Sequence, residues 1–282
     1  MNAQVFSDTV CTLGEGPLWH PEEQALYWFD IMAMRLYRRD QTGEVHWQFD
    51  EHVSAGGWID KGVLLIASET ALFEFDTQSG ESTFLKALEA DNPVTRSNDG
   101  RADPWGGFWI GTMGKEKEAK AGAIYRYVDG RLHKLFDKIT TPNAICFAPD
   151  RSCAHFTDTR TRKIMRVSLD GDGFPDAKPE LFVDLWEQGV SPDGAVVDAS
   201  GRLWVALWGA GQVSCYDTTG ALQSSVDVGG VHSSCPAFGG PDLDRLYVTT
   251  AAQGRDPAGP GDGLTYVAPV ATKGQQEHRV LL

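Results

Sequence analysis

The sequence predicts an all-β fold, a six-bladed β-propeller of four-stranded antiparallel blades that takes in residues 1–282 as one domain. Three observations carry this: a short apolar segment that recurs, its near-regular spacing, and a turn rich in Pro, Gly and Asp ahead of each copy. The segments are residues 26–30, 64–68, 108–112, 154–158, 203–207 and 246–250. Their second residues, Tyr27, Leu65, Trp109, His155, Trp204 and Tyr247, lie 38, 44, 46, 49 and 43 positions apart. A period of roughly 40 to 50 residues with several short strands per unit fits a propeller blade, whereas a helical solenoid would show helical periodicity.

The turns ahead of the six segments read His20-Pro-Glu-Glu, Ile59-Asp-Lys-Gly, Asp103-Pro-Trp-Gly, Ala148-Pro-Asp-Arg, Asp198-Ala-Ser-Gly and Gly240-Pro-Asp-Leu. Pro presets one backbone angle, Gly supplies positive φ, and Asp bonds to its own backbone, so each cluster reverses the chain. A third strand and a further turn follow, as in Arg35-Leu-Tyr-Arg-Arg before Gln41-Thr-Gly, or Ala123-Ile-Tyr-Arg-Tyr before Asp129-Gly. The third unit is the clearest. Its polar entry, Arg96-Ser-Asn-Asp-Gly100, leads through a turn into the apolar strand Phe108-Trp-Ile-Gly-Thr112. At the ends, Gln4-Val-Phe-Ser is expected to complete the last blade, whose own unit closes with His278-Arg-Val-Leu-Leu282, and so to hide a sheet edge.

Composition narrows the function. Hydrophobic residues make up 41% of 282, enough for a large core, and 31 scattered glycines suit many tight turns. The net charge of −14 argues against nucleic acid or an anionic membrane as partner, because both are bound through clustered Lys and Arg. The start lacks a basic and an apolar region, and no stretch approaches the roughly 18 apolar residues of a membrane span. Five cysteines, an odd number without C-x-x-C spacing, signal neither a disulfide framework nor a cysteine zinc site. The expectation is a cytoplasmic protein, a monomer or weak homo-oligomer, with reduced and mostly buried thiols.

The first strand of each blade lines the central tunnel and begins at one mouth. Counting back 11 or 12 residues from each aligned position reaches Glu15, the Val53–Ser54 pair, Asn98, Asn143, Asp193 and Cys235. Four of these six carry carboxylate or amide oxygens. Taken singly, each could merely shape a turn; four at one repeat phase converge on one axial point. Two carboxylates and two amides suit a hard divalent cation, Ca²⁺, Mg²⁺ or Mn²⁺, and without His or Cys the claim of Zn²⁺ is weaker. Arg96 precedes Asn98 by two, so both side chains point into the mouth, where a guanidinium can hold hydroxyls or a carboxylate or serve in a structural ion pair. Asp99 points the other way and braces the turn.

Other signals are weak. Asp170-Gly-Asp172-Gly lacks the later ligands of an EF-hand and reads as a hairpin turn. Gly209-Ala-Gly211 is too short for a dinucleotide fingerprint. His155 reads as a hydrogen-bonded blade residue rather than a ligand.

Gly14-Glu-Gly-Pro-Leu-Trp19, Arg96-Ser-Asn-Asp-Gly100, Gly111-Thr-Met113, Pro142-Asn143, Pro192-Asp-Gly194, Gly201-Arg-Leu-Trp-Val-Ala206 and Phe238-Gly-Gly240 together resemble the SMP-30, gluconolactonase and regucalcin family. The resemblance runs in order from Glu15 to about Gly263. It implies a six-bladed propeller that hydrolyses sugar lactones with one divalent metal, Ca²⁺ first, with Mg²⁺, Mn²⁺ or Zn²⁺ behind it. Carried over residue by residue, it implies Glu15, Asn143 and Asp193 as metal ligands and Arg96 and Asn98 as substrate contacts. It also implies a substrate-binding Glu116, with Glu118 as competitor, in a shortened loop that gives the pocket an acidic rim.

The chemistry implied is Lewis-acid stabilisation of the lactone oxygen during attack by water, with lowering of the pKa of a bound water. Asp193 is the candidate general base and Asp99 its substitute. Two other readings stay open: a hydrolase of another ester or phosphoester on the same scaffold, and a non-catalytic calcium-binding propeller.

Overall fold

In the computed structural model, which describes residues 2–282, the chain forms 24 strands and one short 3₁₀ turn, Thr159–Thr161. After β1 (Gln4–Ser7) come four antiparallel sheets of four consecutive strands. The first holds β2 (Gly14–His20), β3 (Ala25–Asp30), β4 (Arg35–Asp40) and β5 (Gly43–Gln48). The second holds β6 (Val53–Asp60), β7 (Val63–Ser68), β8 (Ala71–Asp76) and β9 (Ser82–Ala87). The third holds β10 (Thr95–Ala102), β11 (Phe108–Gly114), β12 (Gly122–Val128) and β13 (Arg131–Ile139). The fourth holds β14 (Pro142–Phe147), β15 (Cys153–Asp158), β16 (Lys163–Ser168) and β17 (Glu180–Asp184).

The remaining strands are β18 (Ser191–Val197), β19 (Leu203–Trp208), β20 (Gln212–Tyr216), β21 (Leu222–Asp227), β22 (His232–Gly239), β23 (Arg245–Ala251) and β24 (Thr265–Pro269). With β1 they make one curled eight-stranded sheet. The run β18 to β21 meets the run β22, β23, β24, β1 through the single pair Trp208↔His232. The fold is therefore all-β and propeller-like, with four-stranded antiparallel units. Where six separate sheets are expected, the last two units share one hydrogen-bonded sheet.

The recurring apolar segments are the second strands of these units, and their continuous hydrophobicity has a packing cause. Alternate residues of a strand face opposite sides, and each second strand is covered on both. Along β3, Tyr27 and Phe29 pack with Trp58, Leu64 and Phe75 of the second sheet. Leu26 and Trp28 pack with Tyr247 of β23. Along β11, Phe108 and Ile110 face Leu65 and Ala67, while Trp109 faces Phe147 and Phe156. In the half-polar β15, the His155 ring lies tilted against Phe182, centroids 4.6 Å apart, and its buried Nδ1 finds no partner among the described residues. The expected hydrogen bond at that nitrogen is absent; burial pushes the imidazole down to about 3, which keeps it neutral.

The first strands close a ring: β2 packs on β6, β6 on β10, β10 on β14, β14 on β18, β18 on β22, and β22 on β2. The N-terminal strand pairs antiparallel with β24, Gln4 opposite Val267 and Ser7 opposite Thr265, as expected. The C-terminal expectation is corrected. The last sheet strand ends at Pro269, because β1 already occupies the adjoining edge, and residues 270–282 run across the far mouth of the ring. There Gly274 N–H donates to Leu243 O, Gln275 Nε2 to Phe147 O and Val197 O, Val280 N–H to Trp58 O, and Leu281 N–H to Gly106 O. Within this tail, Glu277 forms a buried ion pair with Arg101 of β10.

Candidate active site

Every first strand is interrupted at the same place. The ladder breaks between Glu15 and Leu18, Val53 and Ala55, Ser97 and Gly100, Asn143 and Cys146, Pro192 and Ala195, and Ser233 and Cys235. A bulge bends the strand and re-aims the side chains at it. Glu15, Asn98, Asn143 and Asp193 sit at or inside four of these bulges, and all four line one cavity of about 260 Å³ together with Arg96.

The residue after a bulge position is often specialised. Gly16 and Ala144 are left-handed, with φ of 52° and 57°. A Cβ on Gly16 would lie 2.6 Å from the Ser54 carbonyl oxygen, so only glycine fits beside Glu15. Gly194, after Asp193, abuts Cys235, whose Sγ would be 2.3 Å from an added Cβ. The two repeat positions without carboxylate or amide are thus structural: Cys235 packs on Gly194, and Ser54 Oγ donates to Ser97 Oγ at 2.7 Å.

A hydrogen-bonded chain links three of the six first strands, β10, β14 and β18, at the cavity. Arg96 Nη1 donates to Asn98 Oδ1 at 3.0 Å and to Ser97 O at 2.7 Å. Asn98 Nδ2 donates to Asn143 Oδ1 and to Pro142 O, both at 3.0 Å. Asn143 Nδ2 donates to Thr159 Oγ1 at 2.9 Å, and Thr159 Oγ1 donates to Pro192 O at 2.9 Å, beside Asp193. Asp99 is not among the cavity's lining residues; its Oδ2 accepts the Ile145 N–H at 2.8 Å, so it braces the bulge of the neighbouring strand β14 rather than the turn of its own hairpin.

The electrostatics are those of carboxylates gathered in a dry place. Burial, then the charge of Asp99, pushes Glu15 up to about 8, against the opposing pull of the Gly16 N–H and Arg96. Burial, then Glu15 and Asp99, holds Asp193 well above the ordinary carboxylate range. Burial raises Asp99 to about 6 and lowers Arg96 to about 10. Among the described residues, no hydrogen bond reaches the Asp193 carboxylate, and no three His, Cys, Asp or Glu side chains gather as a metal cluster. The cavity residues that could act as donors are two carboxylates and the Asn143 amide oxygen, whose nitrogen is tied to Thr159. Hard oxygen donors of this kind fit Ca²⁺ or Mg²⁺.

Glu116 is not brought to this cavity. It is exposed, in a tight turn where Lys117 N–H donates to Gly114 O and the Glu116 N–H donates to Glu118 Oε2. Lys117, left-handed with φ of 61°, is the residue of that loop that lines the cavity, and the expected acidic rim is absent there. Arg160, Arg162, Trp208 and Gln253 also reach the cavity and were not expected. A signal for them existed: in antiparallel units the end of each second strand returns to the mouth where the first strand begins, so the residues just after β11, β15, β19 and β23 belong to the rim.

Residues 13–252 match the model of the SMP-30/gluconolactonase/LRE-like region. A putative sugar lactone lactonase of Rhizobium meliloti (strain 1021) is 38% identical, covering 98% of this chain and 96% of its own. The pentonolactonase XacC of Haloferax volcanii is 37% identical, covering 96% of each. The crystal structure of a calcium-binding protein, regucalcin, from Agrobacterium tumefaciens superposes with a TM-score of 0.97 at 39% identity, over 100% of this chain and 98% of that one.

Proposed function

The chain belongs to the SMP-30/gluconolactonase/LRE-like family, and from that premise we propose that it hydrolyses a sugar lactone, an aldonolactone, to the open sugar acid. The same reading gives it one divalent cation, Ca²⁺ first, with Glu15, Asn143 and Asp193 as ligands. The supporting observation is the convergence of two carboxylates and an oriented amide on one cavity that Arg96 and Asn98 also line. Lactonase names among relatives identical at 37% and 38% over nearly the whole chain support the substrate class. The weak link between the two halves of the eight-stranded sheet supports counting them as two blades, six in all. Five free cysteines support a reducing, cytoplasmic setting.

Glu15, Asn143 and Asp193 would hold the divalent cation, which when bound would supply Lewis-acid polarisation of the lactone carbonyl. The chain's own groups do the rest. Arg96 commits only Nη1 to the protein among the described residues, which leaves Nε and Nη2 as donors to sugar oxygens. Asn98 has its amide fixed at both ends, so it presents an oriented dipole rather than a mobile one. Asp193 takes a proton from the attacking water as the C–O bond to water forms, and returns it to the ring oxygen as the ester C–O bond breaks.

A panel of aldonolactones, read by acid release with Ca²⁺, Mg²⁺, Mn²⁺ or Zn²⁺ and with a chelator, tests this. Metal-dependent opening of at least one aldonolactone is expected; no acid release with any metal would defeat the reading. The name of the Agrobacterium protein favours a second reading, a calcium-binding propeller without catalysis. That reading requires calcium affinity together with silence across the whole panel.

A further inference from the structure

The cavity carries a charge opposite to that of the protein. The whole chain has 25 Lys and Arg against 39 Asp and Glu, yet the cavity is lined by four cations, Arg96, Lys117, Arg160 and Arg162, and by only two carboxylates, Glu15 and Asp193. Both carboxylates are the candidate cation ligands, and a divalent ion between them would add two further positive charges. Arg96 faces Glu15, which accounts for one guanidinium. Lys117, Arg160 and Arg162 enter none of the ion pairs among the described residues, although Lys117 acts electrostatically on Asp193. The neighbouring Lys115, Lys163 and Arg166 are each paired with a carboxylate.

These cations are presented by ordered backbone. Arg160 follows Thr159, the residue that ties the Asn143 amide to the Pro192 carbonyl, and its own N–H is held by Asp158 at 3.3 Å. Arg162 is fixed in the left-handed conformation that ends the 3₁₀ turn, and its guanidinium lies 5.2 Å over the Trp186 ring. Lys117 comes from the adjoining third sheet, close enough to act electrostatically on Asp193 and His232. Trp208, stacked on His232 at 4.2 Å, gives the same rim an apolar plane.

Lys and Arg can only donate hydrogen bonds, whereas a sugar hydroxyl both donates and accepts. Lys117, Arg160 and Arg162 can each donate to a hydroxyl oxygen, but the positive charge they concentrate at one rim is matched only by an anionic, acceptor-only group. An Arg pair is suited to the planar or trigonal oxygens of an oxyanion. We propose that the preferred substrate is an aldonolactone bearing a second, anionic substituent, a carboxylate, sulfonate or phosphate, at the carbon remote from the lactone carbonyl, and that Arg160, Arg162 and Lys117 bind it. This rests on the lactonase reading and adds the substrate's charge. The excess of positive potential in a narrow mouth would also draw such anions in against the negative charge of the chain.

The test compares D-glucono-1,5-lactone with D-glucaro-1,4-lactone, 6-phosphogluconolactone and 6-deoxy-6-sulfogluconolactone on the Ca²⁺-loaded full chain. Calorimetric binding of gluconate, glucarate and 6-phosphogluconate runs in parallel. At least one anionic lactone should be opened with kcat/KM about tenfold or more above the neutral one, and the three anions tell carboxylate from sulfonate and phosphate. In Arg160→Gln/Arg162→Gln, both at the solvent-accessible rim, that ratio should fall by about tenfold, chiefly through KM. Preference for the neutral lactone, or an unchanged ratio in the double variant, overturns the proposal. If no lactone is opened, the lactonase reading falls, and binding decides the anion site alone. Arg-dependent preference for the dianionic acids upholds the site, and equal binding of gluconate and glucarate removes it.

Discussion

Asn98 Nδ2 lies 3.0 Å from Asn143 Oδ1, so the side chain read as a substrate contact also holds the oxygen read as a cation ligand. The same Nδ2 bonds the Pro142 carbonyl at 3.0 Å, which locks Asn98 to the strand that carries Asn143. Removing this brace should free the Asn143 amide. Asn98→Ala is expected to weaken Ca²⁺ binding by about tenfold, the usual scale for loss of a ligand's supporting partner. Calorimetric titration with unchanged affinity would show that Asn143 needs no such support.

Glu15 and Asp193 carry the charge of the donor set. Glu15→Gln or Asp193→Asn keeps the shape and deletes one charged ligand, so each should lower Ca²⁺ affinity by about a hundredfold or more while the fold persists. Circular dichroism verifies the fold and calorimetry the affinity. Native affinity in both variants would remove these two residues from the site.

Acid–base linkage follows from the raised carboxylates. Glu15 moves from an ordinary 4.5 to about 8 and Asp99 from 3.8 to about 6, so between those values the folded, metal-free protein binds more protons than the unfolded chain. The stability they contribute is complete below pH 4 and is lost as pH rises towards 8. Calorimetric melting of metal-free protein should therefore show Tm falling between pH 5 and pH 8 relative to Glu15→Gln, and Ca²⁺ should restore it. A Tm difference between the two proteins that is flat across that range would contradict the assignment.

Arg96 and Asp193 should separate in kinetics. Arg96→Ala removes donors to the sugar and should raise KM on the best lactone by about tenfold, with Ca²⁺ affinity little changed. Metal-saturated Asp193→Asn should lose about a hundredfold or more in kcat, because the proton acceptor is gone. Near-normal kcat in that variant would leave Asp193 as a ligand only.

The buried Arg101–Glu277 pair predicts an effect far from the chemistry. Glu277→Ala leaves the Arg101 guanidinium uncompensated and should destabilise the protein by about 3 to 5 kcal/mol, while the apolar double change Arg101→Met/Glu277→Leu should cost much less. Urea titration of the two variants distinguishes them; equal losses would mean that the pair contributes packing alone.

Which parts were legible follows from where periodicity reaches. Glu15, Asn98, Asn143 and Asp193 sit at one phase of a structural repeat, on strands whose length is fixed by the sheet, so counting residues finds them. Lys117, Arg160 and Gln253 sit on connections as different as a three-residue 3₁₀ turn and the long segment between β23 and β24, where a count loses its register. Glu116 illustrates the error: one residue of offset in a tight turn faces a glutamate to solvent and a lysine to the cavity. Glu277 lies 176 positions from Arg101, in a tail that belongs to no repeat, and nothing periodic pairs them. The six apolar segments were legible because a strand covered on both faces cannot alternate.

The pairing of β1 with β24 sets an order of events in the birth of the molecule. β1 acquires its neighbour only after β24, far along the chain, has left the ribosome, since Gln4 pairs with Val267. Until then Trp19 and Trp28 lack the Tyr247 ring that covers them, and the nascent protein exposes an aromatic flank. Closure joins sequence-distant elements, a slow and aggregation-exposed step. It also brings the strand bearing Glu15 into the same ring as the strand bearing Asp193, so a cation that needs both can bind only the closed form. Calcium supplied during synthesis would then act as a latch on the finished ring, raising the yield of native protein before any substrate is met.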